Sequence, residues 1–467
     1  MLFVIACEII FMESYIHFFQ LLGGGVCTVM MKMKRTLITL LSLVFTVGIT
    51  HAGVFEPADL NQAYVCLNKL RVRAGMIEFG QNSQLQTAAF YHANYLADNA
   101  VAGHHEVQGI FGFTGEQPKD RTSFAGYRSL AVSENVSTGY VNSTKSIDGL
   151  MGAIYHRFGF LSFNNNEVGI GIAKVSLSEP NARGAYVYNM GNSGLNTLCE
   201  GPAFSGVGRY YFKVCQPDVH IGATAFEKVE EMAQGNNPYI VQWPADGDND
   251  VPPAFFEESP DPLPDYSVSG YPISIQFNPL TFTDVNVTEF KLYREQDNSE
   301  VQPTRLLTKS TDPNRKLSVL EYALFPLERL DWNTGYWVEV KYTTNLGADT
   351  LRWRFQTRGV GDGVPLYTLE REDEVIPISS STSVIAVYVS PTASSSRITK
   401  INCRYHAGMT VATEFIDGNT LRINIAGHLG QKATFSLSGG RSFAVRISAN
   451  VAEDCESVRN RTCVSQP

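Results

Sequence analysis

Gly103-His104-His105-Glu106, Ser133-Glu134-Asn135-Val136, Tyr155-His156-Arg157 and Asn166-Glu167-Val168-Gly169-Ile170-Gly171 decide how the first half of this chain is read. Two imidazoles and two carboxylates in separate short motifs suit a divalent-metal site, or an acid/base pair in a cleft, provided the fold brings them together. The elements around them are legible. Leu85, Ala88, Ala89, His92, Tyr95 and Leu96 recur at i, i+3, i+4 and i+7 spacing, which predicts a helix with one apolar face. His92 on that face reads as a core residue. Ser146 is placed to cap a helix that buries Ile147, Leu150, Met151 and Ile154 and delivers His156 near its end. Residues 168–175 and 185–190 alternate like strands, with Gly191 closing the second. Helices flanking a short sheet make an α/β/α sandwich.

Further residues recur in a fixed order around these motifs. Leu67-Asn68, Arg71 and Gly75 fall in a first helix, and Asn82, Leu85, Ala88-Ala89, His92-Ala93 and Leu96 in a second. Gly103-His104 is followed by Gly109, Asp120-Arg121 and Gly126-Tyr127. Over about residues 61–191 this order resembles the CAP superfamily, also called the SCP or cysteine-rich secretory and antigen 5 family, in its bacterial form. Ser133-Glu134-Asn135-Val136 is similar to the family's GENV-type motif, with Ser133 in place of the usual Gly. His156-Arg157 matches its HR element, but Phe158-Gly159-Phe160-Leu161 replaces the common Asn-Ile-Leu run. Glu167-Val168-Gly169-Ile170-Gly171 matches its EIGVG element. The resemblance implies an α/β/α sandwich whose cavity is lined by His104, Glu134, His156 and Glu167, a set able to bind a divalent metal, zinc first among them. His105 competes with His104 for the first position. Asp120-Arg121 reads as a structural ion pair or a cap.

The chain has 467 residues, 44% of them hydrophobic, and a net charge of -9. Such a length predicts two to four domains, and the acidic balance argues against nucleic acid as a partner. Lys32 to Arg35 are basic, residues 37–49 are apolar, and Thr50-His51-Ala52 resembles a cleavage site. Residues 31–52 therefore read as a signal peptide, with Gly53 as the mature start, and residues 1–30 as an over-extended start. The alternative is a genuine extension that makes residues 37–49 a signal-anchor. With the signal removed, no stable membrane span is expected. Cys66, Cys199, Cys215, Cys403, Cys455 and Cys463 form an even set in an exported chain, and Cys199 with Cys215 and Cys455 with Cys463 are the local pairs to expect.

Downstream, residues 241–266 hold six prolines among acidic residues and read as an extended linker after a CAP-like domain at 57–240. Asp246, Asp248, Asp250 and Glu257 sit at EF-hand spacings, but Val251 replaces the Gly that the turn needs. Residues 273–277, 291–293, 336–342 and 352–357 read as strands of a unit at 267–358. Its Gly335-Tyr336-Trp337-Val338 and Trp353-Arg354-Phe355-Gln356-Thr357 runs resemble bacterial Ig-like sandwiches. A second β unit at 365–467 has strands at 383–389, 420–425 and 432–437, with Asp417-Gly418-Asn419 as a hairpin turn.

No nucleophile elbow, phosphate loop or dinucleotide fingerprint is present. The sequence thus predicts an exported module, secreted, on the cell surface or in the periplasm, that binds an extracellular ligand such as a lipid, a peptide or a cell-surface component. Ion binding should weaken below about pH 6, as imidazoles protonate. The alternative is a metal-dependent hydrolase of peptidase or esterase type, with Glu134 or Glu167 as general base.

Overall fold

The structure, a computed structural model, describes residues 57–174, 184–379, 381–391, 397–398 and 400–449. The expected signal peptide, the segment before it and the expected Cys455–Cys463 pair lie outside the described residues.

The first domain is built on helices α1 (Pro57–Arg73), α2 (Ser83–Asn99), α3 (Pro118–Phe124), α4 (Ser143–Gly152), α5 (Ile154–Phe160), α6 (Ser193–Glu200) and α7 (Ala223–Gly235). Its sheet holds β1 (Gly80–Gln81), β2 (Ser133–Tyr140), β3 (Glu167–Lys174) and β4 (Gly184–Gly191), in the order β1-β3-β4-β2. β1 runs parallel to β3, while β4 is antiparallel to both β3 and β2. Successive strand residues face opposite sides of a sheet, and the two sides of this one differ. Val168, Ile170, Ile172, Tyr186 and Tyr188 join Leu60, Tyr64 and Leu67 of α1 and Ile147, Leu150 and Met151 of α4 in one core. Ala173, Ala185 and Val187 pack instead with Ala89, Ala93, Tyr95 and Leu96 of α2.

The two glycines of the Glu-Val-Gly-Ile-Gly run let α2 lie directly on the strands. A Cβ at Gly169 would sit 1.9 Å from the Gln86 nitrogen, and one at Gly171 would sit 2.1 Å from the Ala89 carbonyl carbon. These contacts are with helix backbone, which cannot turn aside as a flexible side chain can. Gly171→Ala is therefore expected to cost about 3 kcal/mol or more, read as a lower urea midpoint for the helical circular dichroism signal. An unchanged midpoint would show that α2 sits further from β3.

Two local expectations need correction. α4 is capped by Asn142, whose side chain accepts from the Lys145 N–H, rather than by Ser146. Ser146 is buried, and its hydroxyl bonds to those of Ser137 (2.7 Å) and Tyr188 (2.8 Å). His156 lies on a separate helix, α5, because the chain breaks at Ala153 into extended backbone (φ -83°, ψ 114°).

Beyond α7, residues 240–357 form two four-stranded sheets, and residues 366–447 form two more around their own apolar core. The acidic, proline-rich stretch is not the solvated linker its composition predicts. Ile240–Trp243 pairs with Ile273–Phe277, and Asp248–Val251 runs beside Gly347–Thr357. Pro244 and Pro252 directly follow strand ends, while Val241, Trp243 and Val251 are buried in the core. Asp248 is paired with Arg73 of α1 and accepts from the Ala245 N–H, so it is used in holding the chain together.

The first β unit is docked on the α/β/α domain. Tyr271 donates to the Met151 carbonyl (2.9 Å), and the buried Arg157 of α5 donates to the Pro272 carbonyl (2.7 Å) and the Ser274 hydroxyl (3.0 Å). Arg358 forks onto Asp148 at 2.8 and 2.9 Å.

A disulfide joins Cys199 to Cys215 across a separation of 16 residues, while Cys66 and Cys403 are free. Closing a loop of that size removes unfolded-state entropy worth about 3 kcal/mol. Cys199→Ser with Cys215→Ser should lose that order of stability in thermal unfolding, and no loss would mean that the loop is held by its packing alone.

Candidate metal centre

β2 carries Glu134 on the face covered by α2, two strands from Gly169 through Asn189 of β4. Its side chain is almost fully buried and surrounded by donors. Arg121 Nη2 donates to both carboxylate oxygens at 2.8 Å, and His104 Nδ1 donates to Oε1 at 2.9 Å. With the amide oriented to satisfy its neighbours, Asn189 donates to Oε2 at 3.0 Å and accepts from the Ala89 N–H at 3.1 Å. Burial alone would raise the pKa of Glu134. The His104 hydrogen bond and the nearby Arg121, His92 and His104 charges outweigh it and hold the carboxyl below its ordinary range.

Beneath this group lies a second buried carboxylate, Glu106. It accepts from His92 Nδ1 (2.9 Å) and from the backbone of Thr114 (2.6 Å), with Arg121 Nε 3.8 Å away. Its burial is likewise outweighed, here by His92, Thr114 and Arg121, and its carboxyl is also held low. Arg121 and His92 therefore sit between two buried carboxylates. Asp120 takes no part and accepts from the Gln117 N–H at the start of α3, as a cap.

The rings of His104 and His156 are neighbours, nearly parallel at 21°, with centroids 6.1 Å apart. His105 is exposed. His156 Nδ1 donates to a carboxylate that sequence reading missed, Glu258 Oε1, at 2.6 Å. A carboxylate can only accept, so both rings carry a hydrogen on Nδ1, and the form of each ring that can ligate is the one with its lone pair at Nε2. Neither Nε2 has a hydrogen-bond partner among the described residues. An imidazole whose far nitrogen is held by a carboxylate is the usual form of a metal-ligating histidine. Nε2 of His104 and Nε2 of His156 are therefore the atoms that could hold a divalent ion, with Glu134 and Glu258 on the two Nδ1 atoms. Among the described residues no group of three or more His, Cys, Asp or Glu is gathered closely enough to hold an ion alone, so the remaining positions would fall to water or to a ligand.

The structure does not bring Glu167 into this group. Its Oε1 accepts from the Tyr127 hydroxyl (2.7 Å) and its Oε2 from Asn82 Nδ2 (3.1 Å). Asn82 is the N-cap of α2, with Oδ1 accepting from the Gln84 and Leu85 N–H groups. Glu167 therefore fixes the cap that starts the helix. Burial first, then the Glu167 charge, pushes the Tyr127 hydroxyl well above its ordinary pKa and keeps it a donor.

Arg121, Glu106 and Glu258 are the site residues that the sequence motifs did not assign. Arg121 lay within a recognised motif, but Glu258 has no signal beyond an acidic, proline-rich context.

No curated protein matches the chain. Among solved structures it is similar to an outer surface protein from Borrelia burgdorferi, with 16% identity and a TM-score of 0.26, over 31% of this chain and 98% of that one. It is also similar to an extracellular protein containing an SCP domain from Bacillus anthracis, with 18% identity and a TM-score of 0.25, over 30% of this chain and 44% of that one. Residues 65–179 match the family described as CAP, the cysteine-rich secretory protein family. With the α/β/α layers and the motifs in order, this chain carries a domain of the CAP family over those residues.

Proposed function

We propose that the chain is an exported binding module whose CAP domain holds a divalent ion, zinc foremost, between His104 and His156. The observation that carries this reading is the paired rings, each held at Nδ1 by a buried carboxylate and each free at Nε2. The ion would supply a Lewis-acid contact for an extracellular ligand such as a lipid, a peptide or a cell-surface component. The basic and apolar run at residues 32–49 and the Cys199–Cys215 disulfide support export. No described helix is long and apolar enough to cross a membrane.

Among the described residues, no serine, threonine or cysteine side chain is hydrogen-bonded to His104 or His156, which favours binding over covalent hydrolysis. Titration of the chelator-treated full chain with zinc should show one site. Orienting residues behind a metal ligand are worth about 10–100-fold in affinity, so loss of a ligand should reach at least that upper figure. His104→Ala and His156→Ala are each expected to weaken zinc by about 100-fold or more, while Glu167→Gln leaves it unchanged. Equal affinity in all four proteins would remove the ion reading, and zinc-dependent cleavage of peptide or ester substrates would replace binding by hydrolysis.

A further inference from the structure

Glu258 belongs to the connection between the strands Asp248–Val251 and Ile273–Phe277 of the first β unit, 102 residues beyond His156. Its side chain is fully enclosed at the base of α5. That helix starts at Ala153 with no side-chain cap of its own. Glu258 Oε1 supplies the missing acceptor, taking the Tyr155 N–H at 2.9 Å and the His156 N–H at 3.1 Å as well as His156 Nδ1. One oxygen therefore fixes both the backbone and the ring of His156. Its other oxygen, Oε2, is buried and has no partner among the described residues. A buried carboxylate oxygen left unmatched is costly, and a donor brought in by a ligand or by an ion-bound water would relieve it.

The segment is anchored on both sides of this contact. Phe255 and Leu263 pack with Ile154 and Phe158 of α5 and with Leu307, Leu317, Ala323 and Phe325 of the β unit, in one buried cluster. Tyr155 bonds to Asp312 of the β unit, and Asn314 reaches both the Tyr155 hydroxyl (3.0 Å) and the Asp261 carbonyl (2.7 Å).

We propose that Glu258 is a positioning residue for His156, so that the paired-imidazole site of the CAP domain is completed only by a connecting segment of the first β unit. The proposal rests on the ion reading above for its consequence, but not for its geometry. A cavity assembled in this way binds fully only when the two units are docked. A ligand that pulls on Glu258, or displaces it, acts on the contact between them.

The test uses the full chain with Glu258→Ala and Glu258→Gln. In metal-free protein, the ring-nitrogen chemical shifts of His156 report which nitrogen carries the hydrogen. Wild type is expected to show Nδ1–H, Glu258→Gln to retain it because the amide oxygen still accepts, and Glu258→Ala to lose it. Zinc affinity should fall by about 10–100-fold in Glu258→Ala and less in Glu258→Gln, as for other groups that orient a ligating imidazole. Unchanged His156 shifts in Glu258→Ala would overturn the proposal, as would unchanged zinc affinity against a wild type that binds. Shifts that change while the wild type binds no zinc would uphold the positioning and remove the ion reading. Should Glu258→Ala fail to fold, Glu258→Gln and Glu258→Leu carry the same comparison, because both fill the enclosed space and only the first can accept.

Discussion

Arg121→Ala is expected to be among the most destabilising single changes in the CAP domain, at about 3–5 kcal/mol, the cost of leaving a buried charge without its partner. Glu134 would lose its two 2.8 Å contacts, and Glu106 would lose the guanidinium 3.8 Å away. Arg121→Lys should recover only part, since one ammonium nitrogen cannot take both the Nη2 place on Glu134 and the Nη1 place on the Gly115 and Glu116 carbonyls. Replacing Arg121 and Glu134 together with methionine should cost less than the sum of the single changes. The pH dependence should carry the same signature. Both carboxyls are held below the ordinary value of 4.5, so their contribution is fully present above about that pH. It is lost as the pH falls through their lower folded values, because the unfolded chain then takes up the protons first. In metal-free protein, stability should fall between pH 4.5 and the acid limit, and Arg121→Ala should flatten that fall. A variant with wild-type stability and an unchanged acid limb would show that the buried network contributes no stability.

The second large effect is expected at Arg157, which fixes α5 to the first β unit. Its guanidinium is fully buried and faces no carboxylate within salt-bridge distance among the described residues. Nε donates to the Met151 carbonyl (2.7 Å), and Nη1 bridges to Pro272 and Ser274. Burial pulls its pKa down, with the Tyr271 and Glu258 groups opposing. Arg157→Ala would take this donor from the buried Pro272 carbonyl and Ser274 hydroxyl, at about 1–3 kcal/mol each, besides opening a cavity, while the Met151 carbonyl keeps the Tyr271 hydroxyl. A loss of about 3–5 kcal/mol is therefore expected, together with faster hydrogen exchange in α5 and Ile273–Phe277. Exchange confined to α5 would mean that the β unit is not held through this residue.

The layers of the CAP domain were legible because their signals are local. Helical spacing of apolar residues marks α2, and alternation marks β3 and β4. The strand readings at 273–277, 336–342, 352–357, 420–425 and 432–437 all fall within observed strands. Short or polar edge strands, such as Asp248–Val251 and Thr304–Leu307, were not legible, since too few residues alternate. Composition misled at residues 241–266. Proline and acid content outweighed the inward alternation of Val241 and Trp243, although a proline at a strand end costs the ladder nothing.

The site was legible in part for the same reason. His104, Glu134 and His156 stand in ordered motifs, and the structure brings them together. Glu167 stands in a motif too, but its burial is accounted for by Tyr127 and Asn82. A buried carboxylate shows only that it has partners, not what they are. Glu258 could not be read at all, because its place depends on how two units dock.

The most direct measurement is a diffraction experiment on full-length crystals soaked with cobalt or zinc, using the anomalous signal of the metal. A single strong peak bonded to Nε2 of both His104 and His156, with Glu134 and Glu258 still on the two Nδ1 atoms and Glu167 remote, is the predicted result. A peak at Glu167, a peak held by Glu134 without the two imidazoles, or no peak between the rings at saturating metal would contradict it.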